Sequence, residues 1–187
     1  MIQHSSTTRA VLLAAVVPAT AHRVLHEATS LAAALNADVV AVHVDPSRYV
    51  IGRHLDGTVD SVPIDPDADD APDPHALDTL RQVTDAHTVD GRPVTLWPTA
   101  GYPPAEIAHL AAHLNARIII VGTRRPGLAH HVVEFFTGSV AAHLTHRQTR
   151  PVLIVPISPG SFADPAPWEN PAHPTTAPTT DRTTTEQ

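Results

Sequence analysis

The 187-residue chain contains no cysteine, which excludes disulfides, thiolate nucleophiles, Cys-ligated zinc and iron–sulfur clusters together. Lysine is also absent. All 12 basic residues are arginine, so there is no phosphate-loop lysine and no amine for a Schiff base. No apolar run approaches the ~18 residues of a membrane span. Positive charge is in short supply: 12 basic residues face 19 acidic ones, a formal net charge of −7. That balance gives no overall attraction for nucleic acid or anionic lipid, and neither is expected as a partner.

The negative charge is unevenly spread. Residues 45–75 hold eight Asp and two Arg, and residues 157–187 hold four acids and one Arg. What remains is close to neutral, as a folded core should be. The length suits one domain of ordinary size and a tail. The expected division is a domain over residues 9–157, interrupted by an acidic Pro/Asp-rich loop at 46–75, and a tail at 158–187. The tail carries six Pro and seven Thr without apolar periodicity. It cannot bury enough surface to offset ordering and is expected to be disordered.

The N-terminus admits two readings. MIQHSSTTRAVLLAAVVPATA has one Arg, a short apolar run and an A-x-A-like end, the outline of a secretory signal. The alternative is a buried first strand over residues 10–17, closed by Pro18. The second is preferred because an amphipathic pattern follows at once. Thr20 is placed to cap a helix with Val24, Ala28, Leu31 and Leu35 on one face. Cleavage would destroy that unit.

DVVAVHV at 38–44 is a near-continuous apolar run, as parallel strands show when both faces are covered. Asn36 precedes it, where a helix can stop in the left-handed region. The same passage recurs: LAAALNADVVAV (31–42) and LAAHLNARIIIV (110–121) share seven of twelve positions. Residues 45–75 show no period and are expected to form an exposed loop. Asp73-Pro74 then reads as an N-cap and first helical position, with Leu77, Leu80 and Val83 inward. Asp90-Gly91 is a turn, 93–97 a third strand, and 104–114 a third helix with Ile107, Leu110, Ala111 and Leu114 inward. A fourth strand at 117–121, a helix at 139–148 and a fifth strand at 151–157 complete the order. Alternating strands and helices demand crossovers, so the expected fold is α/β: a five-stranded parallel sheet with helices on both faces, a Rossmann-like three-layer arrangement.

In such a sheet a ligand sits beyond the carboxyl ends of the strands, where the strand order reverses. The segment GTRRPGLAHHVVEFFTGS (122–139) is the candidate. Gly122 lets the chain leave its strand sharply, and Gly127 permits a second tight turn. Gly138-Ser139 opens a helix with free N–H groups and a hydroxyl, an anion site suited to phosphate. Arg124 and Arg125 would add charge-assisted bonds. The histidine pairs His22/His26 and His109/His113 have i,i+4 spacing but no carboxylate third ligand, and no metal is expected. DPDADDAPD lacks the calcium-loop register. Ser139 lacks a nucleophile elbow, and Asp45 is the one acid at a strand end, so no catalytic residue is expected.

Together HVDP (43–46), GYPPAEIAHLAAHLNARIIIVGT (101–123) and FFTGSVAAHLTHRQTRPVLIVP (135–156) resemble the universal stress protein family over about residues 9–157. The resemblance implies dimers joined along the last strand, here residues 151–157, and ATP binding in one subgroup. It further implies stress-response and regulatory roles without a defined reaction. By resemblance, Val44 matches the residue against adenine, and Gly122, Gly138, Ser139 and Val140 match positions around the phosphates. Two departures stand out. The family's ATP binders place Asp at the end of strand one, where this chain has Val16. They also carry Gly-x-x-Gly, nine residues, then Gly-Ser or Gly-Thr. Here Arg125 replaces the second Gly, and twelve residues precede Gly138. The expectation is therefore a cytoplasmic, dimeric, non-catalytic stress-type protein with a degenerate nucleotide site. The alternatives are a member that binds ATP or AMP through Arg124 and Arg125, an enzyme of the related nucleotide-hydrolase architecture, and a pure interaction module.

Overall fold

The computed structural model describes residues 9–67, 73–123 and 138–157. Strand β1 (Val11–Ala15) is followed by helix α1 (Ala21–Leu35), strand β2 (Asp38–Asp45) and an antiparallel pair, β3 (Arg48–Arg53) and β4 (Val59–Pro63). Helix α2 (Pro74–Asp85) leads to a second short pair, β5 (Thr88–Val89) and β6 (Arg92–Pro93). Strand β7 (Thr95–Ala100), helix α3 (Pro103–His113), strand β8 (Ile118–Gly122), helix α4 (Gly138–Arg147) and strand β9 (Val152–Val155) complete the chain. Five strands form one parallel sheet in the order β7-β2-β1-β8-β9. The expected α/β architecture is the one observed, and the apolar N-terminal run is its central strand.

Period-two alternation divides the sheet's side chains between two cores. Leu12, Ala14, Val39, Ala41 and Ile120 face α1 and α2. Leu13, Val42, Val44, Ile119 and Val121 face α3 and α4. Both faces are covered, hence the uninterrupted Val/Ile/Leu runs.

The repeated helix-to-strand passages use one geometry. Asn36 and Asn115 both take the left-handed conformation, at φ 47° and 48°. In each the following alanine N–H reaches back over the last turn: Ala37 to Ala32 O at 2.9 Å, and Ala116 to Ala111 O at 2.8 Å. Asparagine tolerates that conformation because its side chain is short and polar. Asp73 caps α2 as expected, its carboxylate accepting from the N–H groups of His75 and Ala76. Asp90 and Gly91 both have positive φ, the mirror-image turn that suits the β5–β6 hairpin.

Four expectations need correction. First, residues 45–75 are not a structureless loop, because 48–63 form the β3–β4 hairpin. Its signal was present: RYVIGR and VDSVP alternate in burial on either side of a turn built on Asp56, which accepts from Thr58 N and Oγ1 at 3.0 and 2.7 Å. The high Asp, Pro and Gly content of the surrounding stretch obscured it. Second, α1 buries Ala21, Val24, Leu25, Ala28 and Ala32, while Leu35 is 37% exposed. The buried stripe lies nearer one side than the Leu spacing indicated. Third, Thr20 precedes α1, but its side chain makes no capping bond. Fourth, the third strand is shifted to Thr95–Ala100, because Pro93 belongs to β6, and the last is trimmed to Val152–Val155. The tail lies outside the described residues. No helix among the described residues is long and apolar enough to cross a membrane.

Candidate functional site

The strand order reverses at β1, whose neighbours β2 and β8 are followed by connections that leave in opposite directions. The crevice therefore opens beyond the carboxyl ends of β1 and β8. On the β1 side the chain turns sharply, with Val17 O accepting from the N–H groups of Thr20 and Ala21. Val16 is only 2% exposed and packs into the core beneath α1. Its carbonyl accepts a 3.1 Å hydrogen bond from His43 Nδ1, which must therefore carry the proton. Residues 16–18, where β1 ends, carry no ionisable side chain of their own.

At the end of β2, Val44 is buried in the core shared with α3 and α4, and Val140 of α4 belongs to the same cluster. The structure thus places two of the residues singled out in the sequence in one buried apolar cluster. Neighbouring Asp45 is spent on local structure. One carboxylate oxygen accepts from Ser47 N and Oγ, and its carbonyl accepts from Gly101 N at 2.9 Å.

On the β8 side, Gly122 is not among the glycines at positive φ. A Cβ there would lie 2.9 Å from Ile157 Cδ1 and 3.0 Å from Val24 Cγ2. Glycine is demanded by close packing, not by φ. The next residue, Thr123, donates its N–H to Val155 O at 2.8 Å, and its hydroxyl accepts from Ile157 N at 3.0 Å. These bonds tie the crevice wall to the last strand. Gly138 and Ser139 form the first turn of α4, where backbone N–H groups lack partners within the helix. Their dipole favours an anion. Arg124, Arg125 and Gly127 lie outside the described residues.

The histidine pairs do not act as pairs. His22 meets His87 edge to face, with ring centroids 5.2 Å apart. His109 stands 3.9 Å from Glu106, and His113 lies beside Trp97 beneath the hairpin turn. Among the described residues no three His, Asp or Glu side chains are grouped to hold a metal.

Sequence reasoning missed a second concavity. The β3–β4 hairpin folds over α3, and a cavity of about 300 Å³ lies between it and the β7–α3 turn. Glu106, 7% exposed at the side chain, forms a bidentate ion pair with Arg53, with Nη1 to Oε2 at 2.8 Å. Gly101, at φ +110°, closes the floor. The available signal was the acidic residue in the first turn of an otherwise apolar helix.

The model of the universal stress protein family matches residues 8–156. Solved structures share the fold at low identity. A universal stress protein in complex with cAMP aligns over 81% of this chain and all of its own, at 22% identity and TM-score 0.52. Universal stress protein UspA from Lactobacillus plantarum aligns over 80% and 99%, at 20% identity and TM-score 0.56. The universal stress protein from Archaeoglobus fulgidus in complex with dAMP aligns over 80% and 99%, at 20% identity and TM-score 0.53. No curated protein matches the chain. All five strands of the parallel sheet fall inside the matched stretch, and this chain belongs to the universal stress protein family.

Proposed function

We propose that this chain is a cytoplasmic, non-catalytic regulatory protein of the stress response whose nucleotide site has decayed to an anion site. The observation that carries the reading is Val16. The end of β1 offers an apolar side chain turned into the core, where the resemblance called for an acid able to bond the ligand. Loss of one polar contact costs about 0.5–1.5 kcal/mol, roughly two- to twelvefold in affinity. The start of α4 still offers backbone N–H groups to a phosphate. At the end of β2 Asp45 is engaged by Ser47, and the chain has no lysine.

The complexes of two relatives with cAMP and dAMP favour a second reading. In it AMP or ATP binds in the crevice, with Arg124 and Arg125 at the phosphates in place of glycine backbone. Titration calorimetry with inorganic phosphate, AMP, cAMP and ATP separates the two. The first reading expects millimolar phosphate and no nucleotide preference. A micromolar ATP constant, lost on Ser139→Ala or Gly138→Val, would replace it with the second.

Self-association through β9 forms part of the same proposal. β9 is the outermost strand of the sheet, and Leu153 and Ile154 are exposed on it. An apolar sheet edge is a template for pairing with a second copy.

A further inference from the structure

The cavity between the β3–β4 hairpin and the β7–α3 turn lies at the ends of β2 and β7, the two strands on the far side of β1 from β8. The geometry points to a second binding site there, for a neutral, flat, two-ring molecule.

Size, charge and surface chemistry each narrow the ligand. A volume of about 300 Å³ is at the lower end for small-molecule sites, roughly twice a cavity that accepts benzene. The lining is mainly apolar: Tyr49, Val50 and Ile64 from the hairpin side, Tyr102 and Pro103 from the start of α3. The lining holds two charged side chains: Glu106 is paired with Arg53, and Arg48 donates its Nε and Nη2 to Ser61 Oγ and O at 2.9 and 2.8 Å. A charged ligand would lose hydration and have to compete with the partners that Glu106 and Arg48 already hold. Two tyrosine rings suit an aromatic face.

The walls are also held in place, which lowers the ordering cost of binding. Arg53 fastens the hairpin to α3. The hairpin turn rests on α3 and β7, for Gly57 would carry a Cβ 2.8 Å from His113 and 3.2 Å from Trp97. Tyr102 Oη is positioned by His143 Nδ1 of α4 at 3.0 Å. Glycine at 101 is required twice: by φ +110°, and because a Cβ would press on Val50 at 3.2 Å and Glu106 at 3.3 Å. At the rim, Tyr49, Ile64 and Tyr102 remain exposed, apolar surface of the kind that marks a binding site.

The neutral naphthalene dye prodan, whose emission shifts to the blue in apolar surroundings, is the probe for the full chain. The expected result is a saturable blue shift at one dye per chain, with a dissociation constant on the order of 0.1 mM for a ligand of this size. Ile64→Asp should weaken it about tenfold or more by charging the rim. Ile64 is 46% exposed, so the variant should keep the wild-type circular dichroism and melting midpoint. Tyr49→Ala, also at an exposed position, is the second variant and should weaken binding several-fold. AMP should not displace the dye. Any of three results overturns the proposal: no saturable shift, equal binding by both variants, or displacement by AMP. Loss of dye binding as protein concentration rises would do so too, by assigning this face to a second copy.

Discussion

The Arg53–Glu106 pair decides whether the β3–β4 hairpin is a fixed part of the fold, and its removal has a calculable cost. Arg53→Ala leaves a carboxylate that is 7% exposed without its cation, whereas Arg53 itself is 43% exposed. Fully buried pairs cost about 3–5 kcal/mol when one partner is lost. Exposed pairs contribute about 0.2–1 kcal/mol. With one buried partner and one half-solvated partner, the expected cost is about 2 kcal/mol after allowing for solvent screening on the arginine side. Because the pair joins only the hairpin to α3, the loss should appear locally. Amide exchange across residues 48–63 should accelerate about 30-fold, while the global urea transition moves little. Glu106→Gln in the Arg53→Ala background should recover most of the loss, because the amide is cheaper to leave unpaired than the carboxylate. The hydrogen bond to Glu106, followed by its charge, raises the pKa of Arg53 above its ordinary value against the opposing effect of burial. A raised pKa makes its contribution fully present below that ordinary value. Titration of Arg53 therefore introduces no pH dependence near neutrality. An exchange rate in Arg53→Ala within twofold of wild type would refute the reasoning and class the pair with solvated surface bridges.

Three further outcomes are expected. Ile154, 50% exposed on β9, is the position at which to test the edge. Ile154→Asp should shift light scattering from dimer to monomer without unfolding, whereas Val155 is buried and Val155→Asp should unfold the chain. A wild-type monomer at micromolar concentration would remove the dimer proposal. At the hairpin turn, the hydrogen bond and charge of Asp60 raise the His54 pKa above 6.5, and bonds from Thr58 lower the Asp56 pKa below 3.8. The His54 contribution is complete below 6.5 and lost as pH rises through the raised value. That of Asp56 is complete above 3.8 and lost as pH falls through the lowered value. Exchange at Thr58, corrected for intrinsic rate, should accelerate as pH rises from about 6.5 to 8 in wild type but not in His54→Gln; identical profiles would disprove it. Finally, Gly122→Ala forces a methyl against Ile157 and Val24 and should cost about 1–3 kcal/mol in urea unfolding. Adding Ile157→Ala should relieve part of the strain, and a neutral Gly122→Ala would show that the end of β8 yields freely.

Local patterns were legible in the linear chain wherever one residue type has one physical role. The Val/Ile/Leu runs at β1, β2 and β8 announced strands covered on both faces. Asn36, Asn115, Asp73 and Asp90-Gly91 marked helix ends, a cap and a turn, because left-handed backbone and free N–H groups select such residues locally. The family resemblance was likewise carried by contiguous stretches, and Val44 and Val140 fall in one buried apolar cluster. Only the tertiary structure decided what depends on residues distant in sequence. Arg53 and Glu106 are 53 positions apart, and neither carries a pattern that names the other. The hairpin lay in a segment whose average composition resembled a loop, although its alternation needed α3 and β7 as a surface to pack against. The close approach of Val24 and Ile157 to Gly122 is invisible until three segments meet. Backbone chemistry is local and can be read along the chain. Burial, charge pairing and the shape of a cavity arise only when the chain closes on itself.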